Sequence, residues 1–147
     1  MSWQSRAGAL AVRTAEVDDV GPIVALLHQL GYPRGHDEVH RFFDCSHGCI
    51  VLLAELDGVP VGLLVLAVRP QLHMGGWIGA IDAMVVDHEH RSQGVGAGLL
   101  AAAEQHAASQ DVLLLEVHSN DRRHGAHRFY QRHGFVDTSR YFVKPLR

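Results

Sequence analysis

The chain has 147 residues, of which 47% are hydrophobic and 20% charged, the size and composition of one globular domain with one core. Its formal net charge of −3 excludes a surface that would hold nucleic acid through an overall basic field, so a phosphate-bearing ligand would need a local site. Two cysteines do not make a disulfide framework, and no apolar run has the length of a membrane span or a secretory leader. The expectation is therefore a cytoplasmic, single domain over 1–147, with no membrane or nucleic-acid partner.

In chain order, Ala9 to Arg13 reads as a short strand. Asp18 to Leu30 reads as a helix, because Val20, Ile23, Val24, Leu27 and Leu30 fall on one face. Glu16, Asp18 and Asp19 put negative charge at its start, and Gly31 ends it. A second short helix follows over Gly35 to Phe43. Cys49–Leu56 and Val59–Val68 are β-rich runs joined by Asp57-Gly58, a strong hairpin signal. Arg69-Pro70 is expected to end the second run. Beyond a Gly-rich loop, Trp77–Val86 is a further strand. Val95–Ala108 is an alanine-rich helix with Val95, Leu99, Leu100, Ala103 and Ala107 on one face. Val112–Val117 reads as a buried strand of aliphatics, Arg122–His133 as a helix stopped by Gly134, and Phe135–Val143 as a last strand. The predicted order is β-α-α-β-β-β-α-β-α-β, an α/β (α+β) fold with a mixed sheet. Its early strands are antiparallel, and its β-α-β unit is parallel and right-handed.

The most informative stretch runs from Val85 to Leu100: a strand, a short polar loop, Arg91-Ser92-Gln93-Gly94-Val95-Gly96, then the helix. Gly94 and Gly96 let a ligand approach the backbone, and the helix start offers unpaired N–H groups with the positive end of the dipole. A pyrophosphate fits that environment. A plain strand-to-helix turn would also account for the glycines. The spacing is neither a Rossmann fingerprint nor a P-loop.

The second motif lies beyond Val117: Asn120 is followed ten residues later by Tyr130, within Ala126-His127-Arg128-Phe129-Tyr130 and then Gly134-Phe135. With the Arg91–Gly96 loop and the element order, it makes essentially the whole chain resemble the GNAT superfamily of N-acetyltransferases. The resemblance implies the acyl-CoA N-acyltransferase fold, in which the two central parallel strands, Trp77–Val86 and Val112–Val117, splay apart. Acetyl-CoA would then lie in the gap. Met84, Val85 and Val86 would line its pantetheine arm. Arg91, Ser92, Gln93, Gly94, Val95, Gly96 and Ala97 would hold the pyrophosphate, with Asn120 and Phe129 completing the cofactor contacts. Tyr130 would protonate the departing thiolate, a role suited to a phenol whose ordinary pKa is roughly 10. Beside a phenol acid, amine acetylation needs a base and donors for developing negative charge. Asp82 is the best carboxylate for the base, since it interrupts an apolar strand; a solvent-facing polar residue is the alternative reading, and Glu116 the rival.

A narrower resemblance, carried by Leu72 to Ile81, Ser119 to Tyr130 and Phe142 to Leu146, is to the aminoalkylphosphonate N-acetyltransferases. It implies a small amine substrate, with His73, Trp77, Arg123 and Arg140 as acceptor-binding candidates. Arg69, Arg122 and Lys144 are further available cations. A homodimer paired through the final strand is an assembly the resemblance implies.

Twelve histidines stand out in the composition. His36 and His40, one helical turn apart, with Cys45 and Cys49 could hold zinc, but Cys49 opens an apolar strand and reads as a core residue. The expectation is no metal. The competing readings are an acyl-CoA-sensing domain without catalysis, an acetyltransferase of peptide or protein amines, and a toxin acting on charged tRNA; the acidic balance opposes the last.

Overall fold

The computed structural model describes residues 2–5, 8–118, 124–138 and 142–147. Strands β1 (Ser2–Ser5), β2 (Gly8–Thr14), β3 (Cys49–Leu56), β4 (Val59–Gln71), β5 (Gly76–Val86) and β6 (Val112–Val117) form one sheet in that spatial order. Every neighbouring pair is antiparallel except β5–β6, which is parallel. Helices α1 (Val20–Leu30) and α2 (His36–Cys45) lie between β2 and β3 in the chain. Helix α3 (Val95–Ser109) makes the crossover from β5 to β6, and α4 (His124–Arg132) follows β6.

The two sheet faces carry separate cores. On one, α3 packs Val95, Leu99, Leu100 and Ala103 against Leu52, Leu64, Leu66 and Ile81. On the other, α1 and α2 pack Val20, Ile23, Leu26 and Val39 against Val51, Leu53, Leu63 and Val85. Being covered on both sides, β3 and β4 need aliphatics at successive positions, which explains Val51-Leu52-Leu53-Ala54 and Leu63-Leu64. Each fully buried leucine contributes roughly 1.5–3 kcal/mol relative to an exposed one. The Asp57-Gly58 connection is the tight hairpin the sequence predicts, with φ of 51° and 80° at its two residues.

Four features differ from the sequence reading. First, β1 was not anticipated. Second, β4 continues through Pro70 to Gln71. The Val68 N–H points toward the β3 side, to Gly48 O at 2.8 Å, so the Pro70 nitrogen, two residues on, faces the same way. Pairing with β3 ends at Ala67, and the missing N–H costs no ladder bond. Third, β6 is not buried: Leu113 and Leu114 are 57% and 40% exposed, because β6 is the sheet edge among the described residues. Fourth, 135–138 and 142–147 form no strand, so the expected last strand is absent among the described residues of that stretch. There the chain leaves α4 through a turn that binds it back to its own helix, as detailed below.

The start of α1 is tied to the sheet by charge. Arg13 of β2 donates to both carboxylate oxygens of Asp19, at 2.7 and 2.8 Å, and to Glu55 of β3 at 2.5 Å. The Arg13 hydrogen bonds hold the Asp19 carboxyl down to about 2, with a further contribution from the Glu16 amide. The guanidinium is correspondingly raised by its two carboxylate partners. A depressed carboxyl stabilises the fold above its unfolded value near 3.8, and that contribution is lost as pH falls through about 2. Asp19→Asn is expected to cost about 1 kcal/mol at neutral pH and nearly nothing below pH 2. Urea midpoints for both proteins across that range provide the measurement.

Candidate active site

Pairing between β5 and β6 runs from Trp77↔Val112 to Ile81↔Val117 and stops there. Pairing between β5 and β4 continues to Gly62↔Val86. Among the described residues, the backbone of Asp82–Val86 is therefore hydrogen-bonded on one side only, and a gap opens along its other side. The break coincides with a β-bulge: Val65 pairs with Ala83 and Leu66 with Ile81, leaving Asp82 as the extra residue. Its effect shows in the packing. Ile81 and Met84 both face the α3 core, while Val85 faces α1 and α2. Without the extra residue, Ile81 and Val85 would share a face. The bulge thus reverses the side-chain alternation at the mouth of the gap.

The loop after β5 leads to α3. Gly94 is the N-cap, with φ 82°, a left-handed conformation that disfavours any Cβ. No side chain caps this helix, and its first intrahelical bond, Gly98 N to Gly94 O at 3.0 Å, leaves the N–H groups of Val95, Gly96 and Ala97 outside the ladder. They point out of a fifteen-residue helix at the positive end of its dipole. Gly96 sits in close quarters: a Cβ there would stand 3.4 Å from the Phe129 ring and 3.5 Å from Met84 Cε. The fold thus gathers Met84, Gly96 and Phe129, three of the residues singled out for the cofactor. Arg91, Ser92 and Gln93 are exposed beside them.

Tyr130 is fixed by the end of its helix. Gly134 adopts φ 89°; Phe135 N bonds Tyr130 O at 3.0 Å and Gly134 N bonds Gln131 O at 3.2 Å. This is the Schellman pattern, and its hydrophobic contact is made by the Tyr130 and Phe135 rings, 5.4 Å apart. Phe129 meets Tyr130 edge-on at 5.4 Å on the other side.

Asp82 is exposed, as the solvent-facing alternative expected, and stands within electrostatic reach of Cys49, Arg69 and Glu116. Desolvation raises its carboxyl above the ordinary range; Arg69 and His118 pull it down and Glu116 pushes it up. The Cys49 thiol is raised by its own burial and then by Asp82. Arg69 is not an available cation: it donates to Glu116 at 3.0 Å. Glu116, the rival carboxylate, is thus bonded to an arginine of β4. His73 and Trp77 are exposed at the opposite end of β5; five residues separate Trp77 from Asp82, about 16 Å along a strand. Asn120, Arg123 and Arg140, with Arg122, lie outside the described residues. His40 is 3.8 Å from Asp44, Cys45 is exposed, and among the described residues no three His, Cys, Asp or Glu side chains are gathered as a metal ion would require. No described helix is long and apolar enough to cross a membrane.

Two residues absent from the sequence reading matter here. Gln29, near the end of α1, accepts from the His88 amide at 3.0 Å and donates to Asp87 at 3.4 Å. Asp87 in turn accepts from the Glu89 amide at 3.1 Å. These bonds lower the Asp87 carboxyl and brace the start of the Asp87–Gln93 loop against α1. Arg34 stands on the loop before α2, at a cavity discussed below. Neither has a signal in the sequence: Gln29 acts on residues remote in the chain, and the cavity at Arg34 exists only once the helices pack on the sheet.

This arrangement defines an acyl-CoA-type transferase fold, and the family model agrees: residues 22–135 match the acetyltransferase (GNAT) family. The chain belongs to that family. It is 39% identical over 94 residues to the aminoalkylphosphonate N-acetyltransferase of Salmonella typhimurium, a match spanning 64% of this chain and 61% of the relative. Among solved structures, a transcriptional regulator from Bacillus halodurans superposes with a TM-score of 0.84 at 23% identity, covering 93% of this chain and 99% of the other. An aminoglycoside N-acetyltransferase in complex with CoA superposes at 0.81 and 17% identity, covering 94% and 95%. At those identities the two structures establish the fold.

Removing the Gln29 brace should loosen the loop selectively. In Gln29→Ala, the His88 amide is expected to exchange with solvent roughly fivefold faster, as for a lost bond worth about 1 kcal/mol. Amides of β3 and β4 should keep their protection. Hydrogen exchange read by NMR tests both.

Proposed function

We propose that the chain is an acetyl-CoA-dependent N-acetyltransferase of a small primary amine, with an aminoalkylphosphonate as the first candidate. The observation that carries this reading is the end of β5–β6 pairing at Ile81, beside the unpaired amides of α3. One surface thus offers backbone hydrogen bonds for an extended arm and a cradle for a pyrophosphate. The curated relative supports the choice of amine.

Bound acetyl-CoA supplies the activated thioester. In this reading the backbone of Met84, Val85 and Val86 holds the pantetheine arm, and the segment Arg91–Ala97 binds the phosphates, with Asn120 and Phe129 alongside. Asp82 accepts a proton from the acceptor ammonium, directly or through water, and frees its lone pair. The amine nitrogen would bond to the acetyl carbon as the carbon–sulfur bond breaks, the Tyr130 hydroxyl would give its proton to the departing sulfur, and the second nitrogen proton would pass through water to the tyrosinate, leaving a neutral amide and a thiol. Two features of the site suit these roles. Asp82 is exposed, where an acceptor ammonium can reach it, and partial desolvation raises its carboxyl, making it a stronger base than an ordinary carboxylate. The Schellman turn and flanking rings fix the Tyr130 backbone, and a phenol remains protonated at neutral pH.

Thiol release from acetyl-CoA across phosphonate-bearing amines, polyamines, amino acids and aminoglycosides tests the assignment. Tyr130→Phe is expected to lower kcat at least tenfold with little change in KM for acetyl-CoA. As a base, Asp82 acts when ionised, so kcat/KM should fall as pH drops through a value above the ordinary carboxylate range. Asp82→Asn should abolish that limb. Tight CoA binding with no turnover of any amine would overturn the enzymatic reading.

A further inference from the structure

Between α1, α2 and the sheet lies a cavity of 340 Å³. It far exceeds the packing voids of a protein interior and falls in the size range of small-molecule sites. Its walls include Leu27, Val39, Phe42 and Val65, and two charged residues, Arg34 and Glu38, also line it. Glu38 is committed: its carboxylate accepts the Gly35 amide at 3.1 Å as part of the cap of α2. Arg34 is exposed and forms no ion pair among the described residues.

Asp82 is not in the cavity wall, but the wall ends beside it on the sheet. Val65, in its wall, pairs with Ala83, the residue immediately after the Asp82 bulge. Asp82 interacts with Cys49, two residues before Val51, another wall residue, on the same side of β3. A molecule with its amine at Asp82 can therefore place an apolar body in the cavity and an anionic group at Arg34. Arg69, the nearer cation, is neutralised by Glu116.

We infer that the acceptor is an amphipathic amine bearing both an aliphatic or aryl body, seated in this cavity, and an anionic phosphonate or carboxylate, bound by Arg34. This deepens the acetyltransferase reading and rests on it for the chemical step. Arg34 becomes a specificity-determining residue, selecting the anion through its planar fork of donors.

The test compares four amines: 4-(2-aminoethyl)phenylphosphonate and 4-(2-aminoethyl)benzoate, which carry the anion beyond an apolar spacer, aminoethylphosphonate, which lacks the apolar body, and phenethylamine, which lacks the anion. Amines with both features should show KM at least tenfold lower than those with one. Arg34→Ala should raise KM about tenfold for the anionic amines and leave phenethylamine and acetyl-CoA unchanged, with Arg34→Lys partly restoring it. Phe42→Ala should weaken the phenyl-bearing amines and spare aminoethylphosphonate. Equal KM values across the four amines, or an Arg34→Ala effect independent of the anion, would overturn the inference. If none is acetylated, the activity reading fails separately. Calorimetric binding of the same amines to CoA-loaded wild type and Arg34→Ala then decides the cavity: an affinity difference confined to anionic amines sustains it, and none overturns it.

Discussion

The rest of the site depends on a single extra residue in β5. A strand paired on both sides exposes no backbone groups to a ligand. β5 is paired on both sides only as far as Ile81, and Asp82 is where that regularity breaks. The bulge does two things at once. It reverses the side-chain alternation, so that Met84 and Val86 reach the α3 core while Val85 reaches that of α1 and α2. It also sets an acidic side chain at the point where β5 and β6 part. An apolar residue at position 82 would preserve the first effect and remove the second, which separates the architectural part of the bulge from its chemical part.

Two elements far apart in the chain meet around that break. Helix α1 closes the acceptor face, and its Gln29 side chain holds the backbone of His88. The loop so held carries directly into the start of α3. On the other side, α4 brings Phe129 against Gly96 and Met84, and the Gly134 turn fixes the helix end beneath Tyr130. The unpaired amides of Val95–Ala97 are thus set between two braces, one from each face of the sheet. Preorganisation of this kind removes part of the ordering cost that binding a long flexible ligand would otherwise carry.

Much of this was legible in the sequence for local reasons. The α3 face read as Val95, Leu99, Leu100, Ala103 and Ala107 is the face that is buried, because a helical period needs no knowledge of the partner. The Asp57-Gly58 hairpin follows from the turn chemistry of two residues. Asp82 stood out as a lone acid in an apolar run, yet its bulge did not, since a bulge is a relation between two strands and β4 carries no mark of it. Arg69 read as a free cation because its partner Glu116 is forty-seven residues away. Gln29 went unnoticed for the same reason, and Arg34 because the cavity it lines exists only once the helices pack on the sheet. The exposure of β6 was misread because a continuous aliphatic strand looks alike whether or not a neighbour covers it.

The distribution of charge narrows the chemistry the acceptor face can accept. Asp82 and Glu116 are both acidic and near each other, and their mutual repulsion is one of the effects raising Asp82. Arg69 offsets that repulsion while bonded to Glu116. If Asp82 receives the ammonium, as proposed, the positive charge left for an anion is Arg34, at the apolar cavity. A substrate with its amine and anion on adjacent atoms would satisfy one end and leave the other empty. One with an apolar spacer satisfies both and displaces water from a cavity with few groups to bind it. On that proposal the cavity would set the length of the acceptor as well as its composition.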